Sequence, residues 1–401
     1  MTLHHTRYRH AHDRASAYAD ARLGAIVPAL LDGTIEWGHT RPSRAHHTRD
    51  ALLHGPGREP LPVTASLAYG TTLPELLYEQ DATMAARMAA AHDRASHETA
   101  RASAHRAVLV AMGCPSAPAV LALRGPVVVV EHASAAATLA SGLLDVPHRL
   151  VDHLDRLWGS LAPLRPPTAA NRMAAAASLD QAASIEAEFA ATWVVDPLPD
   201  HIAEAGRGWA TGGALSRLRA RLVNVAVRIM LTAPGTATRT LAHGGLDPAD
   251  ILVRPAAPVP CRPCPHLATP HSDLATLLSR TTQHLIGARA AAGVADTVTT
   301  DLYAWITATE GPLAAHDIRR AQALRDVLRL WAMDTLTTLA GHLALPPDVP
   351  ILTPAQRGLA ERATEVLDIV EHIAHGLLGA DTPPATALAH ALARVTAAGR
   401  A

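Results

Sequence analysis

The strongest constraint on the fold of this chain is a change of hydrophobic period near residue 130. Val127 to Val130 are four β-branched residues in a row behind Arg124-Gly-Pro126, which reads as a strand leaving a tight turn. Ala107 to Met112 and Val120 to Leu123 are expected to flank it as two more short strands, with a turn over 113–118, in a small antiparallel sheet. From Ser134 onward the apolar residues instead recur at three- and four-residue spacing almost to the C-terminus, the mark of amphipathic helices. A chain with one small β-rich stretch ahead of a long helical run is expected to be α+β, with sheet and helices segregated.

The remaining organisation follows from punctuation. A helix is expected over Ala15 to Leu31 and a loop over Arg41 to Pro62. Leu73, Leu76, Leu77, Met84 and Met88 give helical periodicity over 73–105. Residues 1–100 therefore read as a partly helical extension, 101–150 as the small β-rich part and 151–401 as the helical part. In the helical part, Pro163 to Pro167 breaks one helix, and Ala214 to Leu231 forms another with Leu218, Leu222, Val225 and Ile229 on one face. A Gly/Pro-rich segment over 232–270 carries one short strand at Ile251 to Val253. Helices follow near 273–292, 296–309, 314–344, 354–379 and 384–398. Thr353-Pro-Ala-Gln356 has the pattern of a capping box, and Trp331 with Leu328 to Leu339 reads as core.

Composition narrows the chemistry. Apolar residues make up 49% of the 401 and charged residues 18%, enough for a substantial core. A formal charge of −1 argues against a surface dedicated to nucleic acid or to an anionic membrane. No run approaches the ~18 apolar residues that span a bilayer, and the residues before Leu23 are too polar for a secretory signal. Three cysteines (Cys114, Cys261, Cys264) do not make a disulfide framework, so a soluble cytoplasmic protein is expected. All 35 basic residues are Arg; there is no Lys. Schiff-base chemistry and a Walker A loop are thereby excluded. Asn occurs twice and Phe once, so residues with A/T-rich codons are depleted together, as in a GC-rich bacterial genome.

The most distinctive motif is His243-Gly-Gly-Leu-Asp-Pro-Ala-Asp250, followed by the apolar Ile251 to Val253 and, later, by Thr269-Pro-His-Ser-Asp273-Leu-Ala. This resembles the catalytic loop and trailing motif of the aminoglycoside phosphotransferase and choline kinase-like family, whose loop reads HGD-x-x-x-x-N before a short apolar strand. The resemblance is close over 230–280 and looser over 105–395. It implies a two-lobed protein kinase-like fold, with a small β-rich N-lobe and a large, mainly helical C-lobe. It places a degenerate catalytic loop at 243–253 and a metal loop at 258–273, and implies ATP and magnesium as the cofactors of any activity.

The departures are as informative as the matches. The family's catalytic Asp falls on Gly245, its metal-binding Asn on Asp250 and its later metal-binding Asp on Arg262. Gly245 offers no base, and Arg262 brings a cation where a metal would sit. Asp250 remains a candidate magnesium ligand, since a carboxylate is a hard oxygen donor. Val130-Glu131 stands about where the family keeps an N-lobe lysine. Since positioning and charge neutralisation supply most of phosphoryl-transfer catalysis, four losses together point to a pseudokinase. Such a protein would act by binding a nucleotide, a small molecule or a protein partner. The alternative is an active ATP-dependent small-molecule phosphotransferase in which Asp247 and Asp250 work from displaced positions.

Each residue also has a plainer reading. His243 organises the loop; Asp247 is a turn residue ahead of Pro248; Asp250 braces the loop. Asp273 is expected to hold the loop through backbone hydrogen bonds and to cap the next helix. Cys261, Cys264, His266 and His271 supply four N/S donors within eleven residues, the number a tetrahedral zinc site needs. The competing reading of that stretch is a decayed metal loop. His372 and His375 are expected on a helix surface.

Overall fold

The computed structural model describes residues 3–42, 46–56, 59–69, 86, 89–114, 119–131, 137–176, 178–179, 183–195, 202, 208–210, 212–232, 239–308, 311–313, 317–347, 351–379 and 382–400. The chain divides into two units. One comprises Met1–Ala107, Ala117–Ala136 and Pro346–Leu352; the other comprises Val108–Ser116, Ala137–Leu345 and Thr353–Ala401.

The first unit is built on a five-stranded antiparallel sheet of order β1-β2-β3-β5-β4. β4 (Val120–Arg124) and β5 (Val127–Glu131) form the expected hairpin, with Arg124 opposite Val127. Gly125 at its first central position takes φ of +56°, the conformation that primed hairpin turns require. Val127 and Val129 are fully buried while Val128 and Val130 are only partly so, the period of two of a sheet packed on one face. β1 (Thr34–Pro42), β2 (His46–His54) and β3 (Leu61–Ala68) complete the sheet, β3 pairing with β5 from Val63 opposite Glu131 to Leu67 opposite Val127.

Two expectations are corrected here. The 41–62 stretch is mostly strand rather than loop, and the stretch before residue 101 supplies three of the five strands rather than an extension. Its alternation is disguised because polar pairs fill sheet positions: Thr48 Oγ1 lies 3.0 Å from Ser66 Oγ, and Thr64 Oγ1 donates to Asp50 Oδ1 at 3.1 Å. Helix α1 (Leu3–Ile26) lays Ala15, Ala19 and Leu23, all fully buried at four-residue spacing, against β2 and β3. His47, also fully buried, reaches Asp20 Oδ1 from its Nε2 at 2.8 Å.

Ala107 to Met112 is not a strand. It continues α2 (His92–Ala111), with Met112 N–H still bonded to Val108 O at 2.9 Å. Val108 and Val110 favour extended backbone locally, yet adding a turn to a helix already formed is cheaper than starting a new element. Leu73, Leu76, Leu77, Met84 and Met88, the basis of the expected helix over 73–105, lie outside the described residues.

The second unit is mainly helical, as expected. α3 (Leu139–Asp145), α4 (Leu150–Ser160), α5 (Pro167–Ala176) and α6 (Ile185–Ala190) lead to α7 (Gly212–Met230). After the loop region come α8 (Ser272–Ala288), α9 (Ala292–Thr307), α10 (Asp317–Leu343), α11 (Pro354–Glu361), α12 (Ala363–Leu378) and α13 (Pro384–Gly399). The single helix expected over 354–379 breaks at Arg362, where φ reaches −106°. Thr353 caps α11 as its sequence requires: Thr353 Oγ1 accepts from Gln356 N, and Gln356 Oε1 accepts from Thr353 N. α10 runs through the middle of the core, burying Val327, Trp331, Leu336 and Leu339 against α7, α8, α12 and α13. On α7, Leu222, Val225 and Ile229 are buried as predicted.

Candidate functional site

The motif loop leaves β6 (Thr240–Ala242), which pairs with β9 (His266–Ala268) so that Ala242 faces His266. One further backbone bond, Cys264 N–H to His243 O at 3.0 Å, carries the pairing past the strand end. The chain then turns at Gly244 with φ of +72°. A Cβ there would lie 2.2 Å from Cys264 O and 2.7 Å from the His266 ring, so only glycine fits. Asp273, in the first turn of α8, receives the loop: its Oδ2 accepts from His243 N–H at 2.7 Å and its Oδ1 from Gly244 N–H at 3.0 Å. The expected bracing role is thus in the geometry, but the capping role is not. The N-cap of α8 is His271, with no side-chain cap bond, because the Asp273 carboxylate is turned to the loop.

The His243 side chain is fully buried, and neither ring nitrogen has a hydrogen-bond partner among the described residues. Burial pulls its pKa down to about 4, Asp273 opposing and His266 assisting, so the ring is neutral at ordinary pH. His266, nearly buried too, donates from Nδ1 to Cys264 O at 2.8 Å.

Beyond the glycines, Asp247 accepts from Ala249 N–H at 2.9 Å and heads a 3₁₀ turn over Pro248–Asp250, the turn geometry its plainer reading predicts. Asp250 begins a hairpin of β7 (Ile251–Leu252) with β8 (Val259–Pro260). Its carbonyl accepts from Cys261 N–H at 2.8 Å, and its carboxylate Oδ1 lies 3.3 Å from Arg262 Nε. Arg262 therefore does stand beside Asp250, and the counter-charge at that carboxylate is a guanidinium. The space over Gly245 is filled from the same segment. A Cβ on Gly245 would lie 1.9 Å from Arg262 O and 2.8 Å from its carbonyl carbon, so the backbone of 262–263 occupies the space a side chain would need.

The four candidate zinc donors do not converge on one point. Among the described residues, which include Cys261, Cys264, His266 and His271, no group of three or more His, Cys, Asp or Glu side chains is placed to hold a metal ion. The short strands disperse the set. Cys261 Sγ points to Val259 O at 3.8 Å, the His266 ring turns to Cys264 O, and His271 opens α8. His372 is less isolated than expected, since its ring centroid lies 5.7 Å from that of His390 on α13.

The structure adds a pair that the motif did not indicate. Arg280 of α8 donates to Asp334 Oδ1 of α10 at 2.7 Å, with Asp334 almost buried. Burial pulls the Arg280 pKa down, but Asp334, Asp247 and Glu188 more than offset it and leave it raised. Asp247 also opposes the lowering that burial imposes on His284 of the same helix. A lone Arg inside a helix whose neighbours are Ser and Thr carries no signal of this in the sequence.

Comparison with known proteins is limited to shape. No protein-family model matches the chain, and no curated protein matches it in sequence. Among solved structures, a choline kinase from Streptococcus pneumoniae is similar over 88% of this chain and 99% of its own, at 10% identity and a TM-score of 0.39. A choline/ethanolamine kinase family protein from Mesorhizobium loti covers 94% of this chain and 99% of its own, at 13% identity and a TM-score of 0.39. A putative fructosamine-3-kinase from Thermobifida fusca covers 86% and 97%, at 14% identity and a TM-score of 0.38. No helix among the described residues is long and apolar enough to cross a membrane.

Proposed function

We propose that this chain is a phosphotransferase-like protein whose phosphoryl-transfer chemistry is impaired, and that it acts in the cytoplasm by binding a nucleotide, a small molecule or a protein partner. The observation that carries the reading is steric. The position that would hold a catalytic carboxylate is Gly245, and its side-chain space is taken by the Arg262 carbonyl at 1.9 Å from a built Cβ. Around it, Asp250 is matched by Arg262 rather than left open to a divalent cation. Asp247 is engaged in its own turn. With no lysine in the chain, the cationic side chains that a phosphate can meet are Arg and protonated His. The loop scaffold nevertheless persists: Asp273 and the β6–β9 ladder hold His243 and Gly244 in one conformation.

A thermal-shift titration with ATP, with and without Mg²⁺, tests this directly. The expected outcome is no ATP turnover and no magnesium-dependent stabilisation. Magnesium-dependent stabilisation, with turnover that disappears in Asp250→Ala, would instead establish an active ATP-dependent small-molecule phosphotransferase using Asp247 and Asp250.

A further inference from the structure

α7 carries a second apolar stripe besides the one it buries. Leu222, Val225 and Ile229 face the core. Val223, Val227, Met230 and Leu231 follow one another at i, i+4, i+7 and i+8 on the far side, the spacing of a helix face that packs against something. All four are exposed: Val223 42%, Val227 45%, Met230 42% and Leu231 70%. Leu231 belongs to the same face, since its N–H bonds to Val227 O at 3.1 Å and carries the helical pattern past Met230. Eleven large hydrophobics are exposed among the described residues, and four of them fall on this one stretch, so the stripe is a patch rather than scatter. Local propensity does not account for it, because β-branched Val on a solvated helix face is a weaker helix former than Ala or Arg. The border of the stripe carries one sign of charge. Arg217 and Arg228 are exposed and stand eleven residues apart, about 16 Å or three turns, so they line one edge of the stripe. Neither has a hydrogen-bond or ion-pair partner among the described residues. α7 contains no Asp or Glu, and Asp368 and Glu371 of α12 are taken up by Arg221.

We propose that this face of α7 docks an acidic amphipathic helix of a protein partner. The partner lays its apolar side on Val223, Val227, Met230 and Leu231, and its carboxylates meet Arg217 and Arg228. Apolar contact supplies the affinity, while the two charge-assisted pairs set orientation and partner choice. Charge decides among the occupants such a stripe could take. A second copy presenting the same face would bring the arginines of both chains together with no carboxylate on either α7, and like charges across an interface oppose association. An anionic membrane would find two exposed arginines here on a chain of formal charge −1, whereas recognition of anionic lipid draws on clusters of about 4–8 basic residues. No residue of the motif loop takes part, so the proposal does not rest on the function proposed above.

The test uses the full chain and two synthetic peptides of about 18 residues, cross-linked internally to hold them helical and labelled for fluorescence anisotropy. Both carry a Leu stripe at i, i+4, i+7 and i+8. One has Glu at two positions eleven residues apart along its edge, and the other has Lys there. The acidic peptide should bind and the basic one should not. Affinity for the acidic peptide should fall about tenfold or more in Val227→Ser/Leu231→Ser and in Arg217→Glu/Arg228→Glu. The charge-reversed protein should bind the basic peptide instead, a gain that misfolding cannot produce. Val110→Ser, at another exposed valine, should leave binding unchanged. Equal binding of both peptides, binding of neither, or binding that survives both double substitutions would overturn the proposal. So would sedimentation with phosphatidylglycerol vesicles, or self-association in sedimentation velocity, that disappears in Val227→Ser/Leu231→Ser, since the face would then belong to a membrane or to a second copy. ATP binding is measured in the same samples, and its absence counts against the loop reading alone.

Discussion

At the scale of single residues, His243 and Gly245 define how the loop is held. His243 is a neutral ring in a dry position, and its pKa is lowered to about 4 from the ordinary histidine value near 6.5. The unfolded chain takes up this proton near pH 6.5 and the folded one only near pH 4. The stabilising effect is therefore complete above about pH 6.5 and is lost as pH falls toward 4. Denaturant midpoints measured from pH 7 to pH 4.5 should fall, with His243 accounting for up to about 3 kcal/mol. His243→Gln should flatten that slope, although the partly buried His284, its pKa also lowered by desolvation, contributes to it in the same sense. At Gly245 the prediction is steric. Gly245→Asp adds a carboxylate but drives a Cβ into the Arg262 carbonyl. It should lower stability by about 1–3 kcal/mol, the usual scale for overpacking, and produce no ATP turnover in a coupled assay.

At the scale of elements, the loop is fixed because the elements that carry it are fixed. α8 presents Asp273 at its first turn, Arg280 two turns on, and Gly287 near its end. Gly287 and Gly358 let α8 and α11 approach backbone to backbone. A Cβ at Gly287 would sit 1.9 Å from Ala355 O, and one at Gly358 would sit 2.1 Å from Gly287 O. Gly287→Ala or Gly358→Ala should therefore lower the melting temperature, by about 1–3 kcal/mol of stability or more. Gly293→Ala in α9, where nothing lies within 4 Å of the new methyl, should be neutral or raise stability by about 0.5–1 kcal/mol. The capping box at Thr353 and the buried stripe of α7 could be read from spacing alone. The strands over 34–68 could not, because their polar residues are satisfied across strands by partners distant in sequence.

At the scale of the whole molecule, the two units draw on different resources. The sheet unit depends on strand pairing and on helices α1 and α2, most of which it contains, while the helical unit is organised around α10. Trp331 on α10 is 1% exposed amid leucines of the same core. Trp331→Ala should cost about 3–5 kcal/mol through lost contacts and the cavity left behind. Chemical denaturation followed by circular dichroism should show the loss in helical signal. The comparable change at exposed Val194 should fall within ~0.5 kcal/mol.

The sequence by itself determined the α+β class, the hairpin at Gly125, most of the helices and the identity of the loop residues, because those depend on period, propensity and local spacing. It also determined that no lysine chemistry is possible. Only the tertiary structure decided that 34–68 joins the sheet, that 107–112 remains helical and that the cysteine and histidine set does not converge. It alone placed Arg262 against both Asp250 and Gly245. Those outcomes depend on which distant segments meet, through backbone bonds such as Cys264 to His243 and ion pairs such as Arg280 to Asp334. No local pattern encodes such meetings, since the same residues at the same spacing are compatible with an open loop or with one covered by its own chain.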